Sequence, residues 1–389
     1  MTRPKLATEL FELESTYRER MSVKPHLPEP VGKNPKYWLI AQDKRYLFKL
    51  QTTKEQNGES VYNDVSECIA SDIGELLGLN VAEYFLCTND GVPGVLSPDF
   101  LDNELEGPKK EEFVDGVYLI SLIDPGFKNG SLLNPQTKQY YTVDLVLQSV
   151  EKYGLIQDAI NMMVYDALIG NRDRNPSNYG IIYNHETGTY RFAPLYDNGT
   201  SLALSMPQKR LEKCVDKEGN IINEEHMNDV IHHQFLGKVT LERFFQYKEK
   251  IVWDRAQIEK AHVNVELKKR ELQQVVQSRR MKPDVYHEIL RKIANERIGY
   301  DISTLEYQPL IEYFTNHYPD EIEGIMYSIS QAINQHNMDR LFDLYKNEMP
   351  IDRLVMSKEI VLRRASWMVE YYYTKKAERG GKTLWKQLH

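Results

Sequence analysis

Two short polar segments constrain this chain more than any other feature. The first is Leu168-Ile169-Gly170-Asn171-Arg172-Asp173-Arg174-Asn175-Pro176-Ser177-Asn178, and the second is Asp197-Asn198-Gly199. Asp173 and Asn178 stand five residues apart, but Asp124/Asn129 and Asp166/Asn171 repeat that spacing, so context must separate the three. Asp166 falls inside an apolar run of helical period formed by Ile160, Met163, Val164, Ala167 and Leu168. Asp124 sits in a Pro/Gly turn with no hairpin after it. Asp173 directly follows the expected helix and precedes a β-rich run at 179–183, turn residues at 184–188 and a second extended run at 189–193. ATP-dependent phosphoryl transfer needs one carboxylate to accept a hydroxyl proton, with an amide oxygen and a second carboxylate to hold Mg²⁺ on the phosphates. Asp173 is therefore the candidate base, and Asn178 and Asp197 are the candidate metal ligands. The competing reading is a solvated loop, because Asn-Gly is a common turn pair.

At 389 residues the chain suits two or three lobes. Its net charge of −8 argues against a nucleic-acid binder that works by bulk electrostatics. Cys68, Cys87 and Cys214 are scattered, with no CxxC and no His at ligand spacing, so neither a disulfide framework nor structural zinc is expected. The first 20 residues are charged and unlike a signal peptide, and no run of about 18 apolar residues offers a membrane span. A reducing, cytoplasmic setting is the expectation.

The pattern along the chain divides it into an extension (1–30), a small α+β lobe (31–105), a mostly helical lobe (106–300) and a helical C-terminal extension (301–389). Residues 37–40 and 46–50 read as strands. A helix capped by Ser60 or Asn63 should run to Leu77 and stop at Gly78. Residues 81–87 and 92–96 read as further strands, and the charged stretch 104–112, broken by Gly107-Pro108, reads as a linker. Helical patterns follow at 143–150, 156–169, 241–280, 286–297, 319–336 and 358–374. Residues 201–225 read as irregular.

Lys49 lies on the second strand, where alternation sets Phe48 and Leu50 on one face and Lys49 with Leu47 on the other. A lysine on an apolar face needs a partner or an anion. Glu67, beside the apolar stripe of the following helix, and the phosphates of ATP would supply both; a surface lysine is the alternative. Val31-Gly32-Lys33-Asn34-Pro35-Lys36 stands where a phosphate-cradling loop belongs, although it lacks GxGxxG. Backbone amides there, with Gly32, Lys33 or Lys36, could meet phosphates; a plain linker turn is the other reading.

Gly170-Asn171-Arg172-Asp173-Arg174-Asn175-x-x-Asn178 followed by Pro194-Leu195-Tyr196-Asp197 resembles the catalytic segment of HipA-like kinases, a group related to the phosphatidylinositol 3/4-kinases. The helix that carries Glu67 and ends Leu76-Leu77-Gly78-Leu79 is similar to that group's regulatory helix. Gly94-Val95-Leu96-Ser97-Pro98-Asp99-Phe100 looks like its hinge, with backbone groups toward adenine and Phe100 packed nearby. The resemblance spans roughly residues 31–300. It implies a bilobal protein-kinase-like fold, ATP and Mg²⁺ as cofactors, and phosphorylation of Ser or Thr on a protein.

Three departures qualify it: Asn175 stands where the group often has His, no Gly/Ser-rich phosphate loop is evident, and too few residues precede Lys49 for the N-terminal subdomain of the bacterial toxins. A toxin–antitoxin role is thus only one option. The rival readings are a small-molecule or lipid kinase on the same scaffold, a pseudokinase that binds a partner or regulator through the C-terminal helices, and AMP transfer in place of phosphate transfer.

Overall fold

The computed structural model describes residues 36–41, 44–52, 61–89, 92–105, 107–127, 141–171, 173–204, 206–234 and 307–380. Gly32, Lys33, the 1–30 extension and the helices expected at 241–280 and 286–297 lie outside them. The described residues form two lobes, a small antiparallel sheet with one helix and a larger, mainly helical body.

The small lobe is built from β1 (Lys36–Ala41), β2 (Lys44–Leu50), β3 (Phe85–Asn89) and β4 (Val92–Pro98) in the order β1-β2-β4-β3, every pair antiparallel. Alternation along β2 has the expected result. Tyr46, Phe48 and Leu50 pack with Leu39, Cys87 and Leu96 on one face, while Lys49 turns to the other. That other face is covered by α1 (Asn63–Leu76), whose Val65, Ile69 and Ile73 are buried. The helix ends as expected: Gly78 takes φ +76°, and Leu79 N–H donates to the Gly74 carbonyl at 2.9 Å. Its start differs from the expected cap. Tyr62, in the left-handed region, precedes the first turn, and the Asn63 side chain instead accepts from Thr52 N and Oγ1.

Strand β3 begins at Phe85, later than the apolar run suggests, because residues 80–82 are drawn across to the large lobe. Leu195 N donates to the Asn80 carbonyl at 2.8 Å, and Ala82 N donates to the Leu195 carbonyl at 3.0 Å. Of the stretch likened to a hinge, Gly94 to Pro98 are strand, paired with β2 and in part with β3, and the chain leaves the sheet at Asp99. Strand β5 (Glu111–Asp115) begins within the stretch read as a linker and pairs with the hairpin strand β6 (Gly180–Asn184), which pairs in turn with β7 (Tyr190–Phe192).

The large lobe contains α2 (Gly116–Ser121), α3 (Val143–Glu151), α4 (Ile156–Ile169), the short α5 (Gln208–Leu211), α6 (Glu224–Gln234), α7 (Tyr307–His317), α8 (Pro319–Ala332), α9 (Gln335–Asp343) and α10 (Ile351–Gly380). Helix α4 has the expected bounds. Its residues from Met162 to Ile169 are all buried, the mark of a helix packed on every side, and Gly170 at φ +71° closes it. The pattern at 319–336 is two helices rather than one, because Asn334 breaks it and caps α9 through Asn337 N at 3.0 Å. Helix α10 outruns its expected bounds at both ends and packs against α4, α7 and α8.

The two lobes share one apolar core. Tyr165 of α4 donates to the Ala70 carbonyl of α1, and Tyr345 donates to Asp72 Oδ2 at 2.6 Å. No helix among the described residues is long and apolar enough to cross a membrane.

A Cβ on Gly94 would stand 2.4 Å from the Lys49 carbonyl oxygen and 2.7 Å from the Phe48 ring. Gly94→Ala is therefore expected to force β2 and β4 apart and to destabilise the fold by about 1–3 kcal/mol. The check is a lowered midpoint in urea unfolding.

Candidate functional site

Strand alternation sends the Lys49 side chain under the sheet, where α1 presents Glu67. Lys49 Nζ lies 2.8 Å from Glu67 Oε1 and 2.9 Å from Asp197 Oδ1. Side-chain exposure is 9% for Lys49 and 3% for Glu67 but 37% for Asp197, so the cluster is closed on the helix side and open at the aspartate. Burial would depress the Lys49 ammonium, but Asp197 and Glu67 outweigh it and hold the pKa well above the ordinary value. Burial pushes the Glu67 carboxyl up, with Lys49 pulling against it, whereas Lys49 holds Asp197 below its usual range.

The chain delivers Asp197 from the large lobe in an unusual conformation, φ +59°. A non-glycine residue there is held by its surroundings. Asp197 N donates to the Tyr84 hydroxyl at 3.2 Å, and Asn198 N donates to Glu67 Oε2 at 2.8 Å. Gly199 allows the close approach, since a Cβ would meet the Asn63 carbonyl at 2.9 Å and Glu67 Cγ at 3.1 Å. Glu67 thus joins Lys49 to the main chain beside Asp197.

Asp173 follows α4 in a loop closed by its own amides. Asn171 Oδ1 accepts from Asp173 N at 3.0 Å, and Asn178 Nδ2 donates to the Asp173 carbonyl at 2.6 Å. Asn175 Oδ1 caps the 3-10 turn Pro176–Asn178 through Ser177 N at 2.8 Å. The Asp173 side chain is exposed. Because the Asn178 amide nitrogen is engaged, its carbonyl oxygen remains as the acceptor that could meet a cation.

The structure brings Lys49, Glu67 and Asp197 into direct contact and ties Asp173 to Asn178. Phe100 stacks on Tyr196, with centroids 5.8 Å apart, and meets Phe113 edge-on at 5.7 Å. It therefore adjoins the site through the residue before Asp197. Gly32 and Lys33 are outside the described residues. Lys36 stands opposite Lys49 across the β1–β2 ladder, and burial lowers its amine pKa against the pull of Asp197.

Arg174 is a residue of the candidate site that sequence reasoning missed. It is fully buried; Nε and Nη2 reach both oxygens of Asp166 at 2.8 and 2.9 Å, and Nη2 also reaches Asn198 Oδ1 at 2.6 Å. Nη1 donates to the Asn178 and Tyr196 carbonyls, the latter at 2.8 Å. A signal existed, since an acid at Asp166 on an apolar helix requires a cation or a hydrogen-bond donor.

Among the described residues no three His, Cys, Asp or Glu side chains gather to hold a metal. Asn178 and Asp197 suit a hard cation that brings phosphate and water oxygens with it, as Mg²⁺ does.

No protein-family model matches the chain. It is similar to the serine/threonine-protein kinase CtkA of Helicobacter pylori strain J99, 26% identical over 172 residues, which are 42% of this chain and 49% of that protein. The sequence match therefore spans about half of the relative's length. A crystal structure of a Helicobacter pylori proinflammatory kinase CtkA superposes with a TM-score of 0.55 at 18% identity, covering 92% of this chain and 96% of that one. A chain of the Shewanella oneidensis MR-1 toxin–antitoxin structure of HipA, HipB and operator DNA also superposes, with a TM-score of 0.50 at 11% identity, covering 91% of this chain and 67% of that one.

Lys49→Met would leave Glu67 buried without its cation, a loss of about 3–5 kcal/mol near pH 8. In that variant burial raises the Glu67 carboxyl further above its unfolded value of about 4.3. The folded variant then binds the proton more tightly than the unfolded chain, so its stability rises as pH falls through the raised pKa. Lys49 in the parent stays charged throughout that window. Urea unfolding should show a smaller parent–variant difference at pH 5 than at pH 8; equal differences would contradict the buried cluster.

Proposed function

We propose, for a chain with the HipA-like kinase fold, transfer of the γ-phosphate of ATP to a serine or threonine hydroxyl of a protein. The likeness to CtkA supports a kinase-type function in general. The observation that carries the finer reading is the buried contact of Lys49 with both Glu67 and Asp197, beside a loop that exposes Asp173. A scaffold has no need of these side chains together.

Asp173 is the base. Its main chain is fixed at both ends by Asn171 and Asn178, so its carboxylate is held out toward an incoming hydroxyl, whose proton it accepts. A positioned base contributes about 10²–10⁴-fold in rate. Lys49 supplies a permanent positive charge for phosphate oxygens, and Glu67 keeps that ammonium aimed at the cleft. Asn178 Oδ1 and the carboxylate of Asp197 would hold Mg²⁺. The metal, when bound, neutralises charge on the phosphates. Lys36, a second amine opposite Lys49 across the β1–β2 ladder, is assigned to phosphate contact, in keeping with its place at the end of the stretch 31–36 whose sequence suggests phosphate binding. A protein partner is also proposed, motivated by the HipA–HipB assembly to which the fold is similar.

The test is transfer of labelled γ-phosphate to the protein itself and to a cell extract. Because Asp173 is exposed, Asp173→Asn should leave the melting temperature unchanged while lowering transfer by about 10²-fold or more. Undiminished transfer by the variant would refute the assignment of the base.

A further inference from the structure

Arg174 does more than satisfy Asp166. A guanidinium has five N–H donors in one rigid plane. Here five acceptors meet them: the two Asp166 oxygens, the Asn198 amide oxygen, and the main-chain carbonyls of Asn178 and Tyr196. Bidentate pairing with Asp166 fixes the plane on α4, whose residues from Met162 to Ile169 are all buried. The other three acceptors lie in the two segments that carry the candidate metal ligands. One is the carbonyl of Asn178 itself. The other two belong to the residues on either side of Asp197, whose left-handed backbone is thereby gripped from both neighbours. A single nitrogen, Nη1, bridges the two segments.

We infer that Arg174 is a positioning residue that sets the separation of Asn178 and Asp197, and so the affinity and selectivity of the metal site. Mg²⁺ demands near-ideal octahedral geometry at about 2.0–2.1 Å, whereas Ca²⁺ tolerates 2.3–2.6 Å and irregular shells. A spacing held by one planar group favours the smaller ion. Lysine cannot replace it, because three donors on one ammonium cannot reach five acceptors in a plane. The inference rests on the assignment of Asn178 and Asp197 as metal ligands.

The experiment measures Mn²⁺ as a probe for Mg²⁺, by the electron paramagnetic resonance of the free ion, on the full chain with ADP present. ADP binding in EDTA is measured in parallel. Arg174→Lys should bind ADP without metal as the parent does, within about twofold, while Mn²⁺ affinity falls about 10–100-fold. The preference for Mg²⁺ over Ca²⁺ in competition should narrow. Asn198→Ala removes one of the five bonds and should act in the same direction by a few-fold; it decides the matter where Arg174→Lys does not fold. Asp197→Asn separates the two levels of the argument. Loss of Mn²⁺ in Asp197→Asn with parent-like affinity and selectivity in the folded arginine and asparagine variants would overturn the role of Arg174 alone. Parent-like Mn²⁺ binding in Asp197→Asn would overturn the metal site and the inference with it.

Discussion

One buried ammonium joins the lobes at the candidate site. Lys49 arrives from the sheet, Glu67 from α1 and Asp197 from the large lobe, so three elements distant in sequence meet at Nζ. Taking such charges out of water is expensive, and the arrangement persists only because each has a partner and further hydrogen bonds. Glu67 spends its second oxygen on Asn198 N, which turns an ion pair into a clamp on the main chain. The open side of the clamp is Asp197, the one carboxylate of the three-residue cluster with substantial exposure.

A second buried ion pair joins Arg174 to Asp166. Arg174 and Asp166 belong to the same stretch of chain, yet two of the five acceptors of Arg174, the Tyr196 carbonyl and Asn198 Oδ1, lie more than twenty residues later. The two pairs share Asn198, whose backbone meets Glu67 while its side chain meets Arg174. Metal-ligand candidates and phosphate-binding candidate are thus held by one continuous polar network inside an apolar core, a setting in which each bond strengthens the others and none is cheaply lost.

Much of this was legible in the sequence, for local reasons. Helix α4 could be bounded because its apolar residues recur without interruption and Gly170 ends them. The facing of Lys49 followed from alternation with Phe48 and Leu50, and the end of α1 from Gly78. What escaped was decided at long range. Arg174 stands between Asp173 and Asn175 and looks like a solvated loop residue; its burial is set by acceptors that only the folded chain brings near. Val81 and Ala82 fall in the run read as strand, but hydrogen bonds of residues 80 and 82 to Leu195 draw them away from the sheet. Asn334 looks neutral within a periodic run until its side chain caps a new helix.

The attachment of α1 bears on how such a molecule could be switched. For Glu67 to withdraw, the helix must also leave the Tyr165 and Tyr345 hydroxyls and uncover Ile69 and Ile73, both wholly buried. Two hydrogen bonds at about 1 kcal/mol each and two side chains at roughly 2 kcal/mol each place that state at least 6 kcal/mol uphill, before the bonds of Glu67 to Lys49 and Asn198 are counted. Its occupancy is then at most on the order of one molecule in 10⁴. The swung-out helix is a vanishing member of the ensemble.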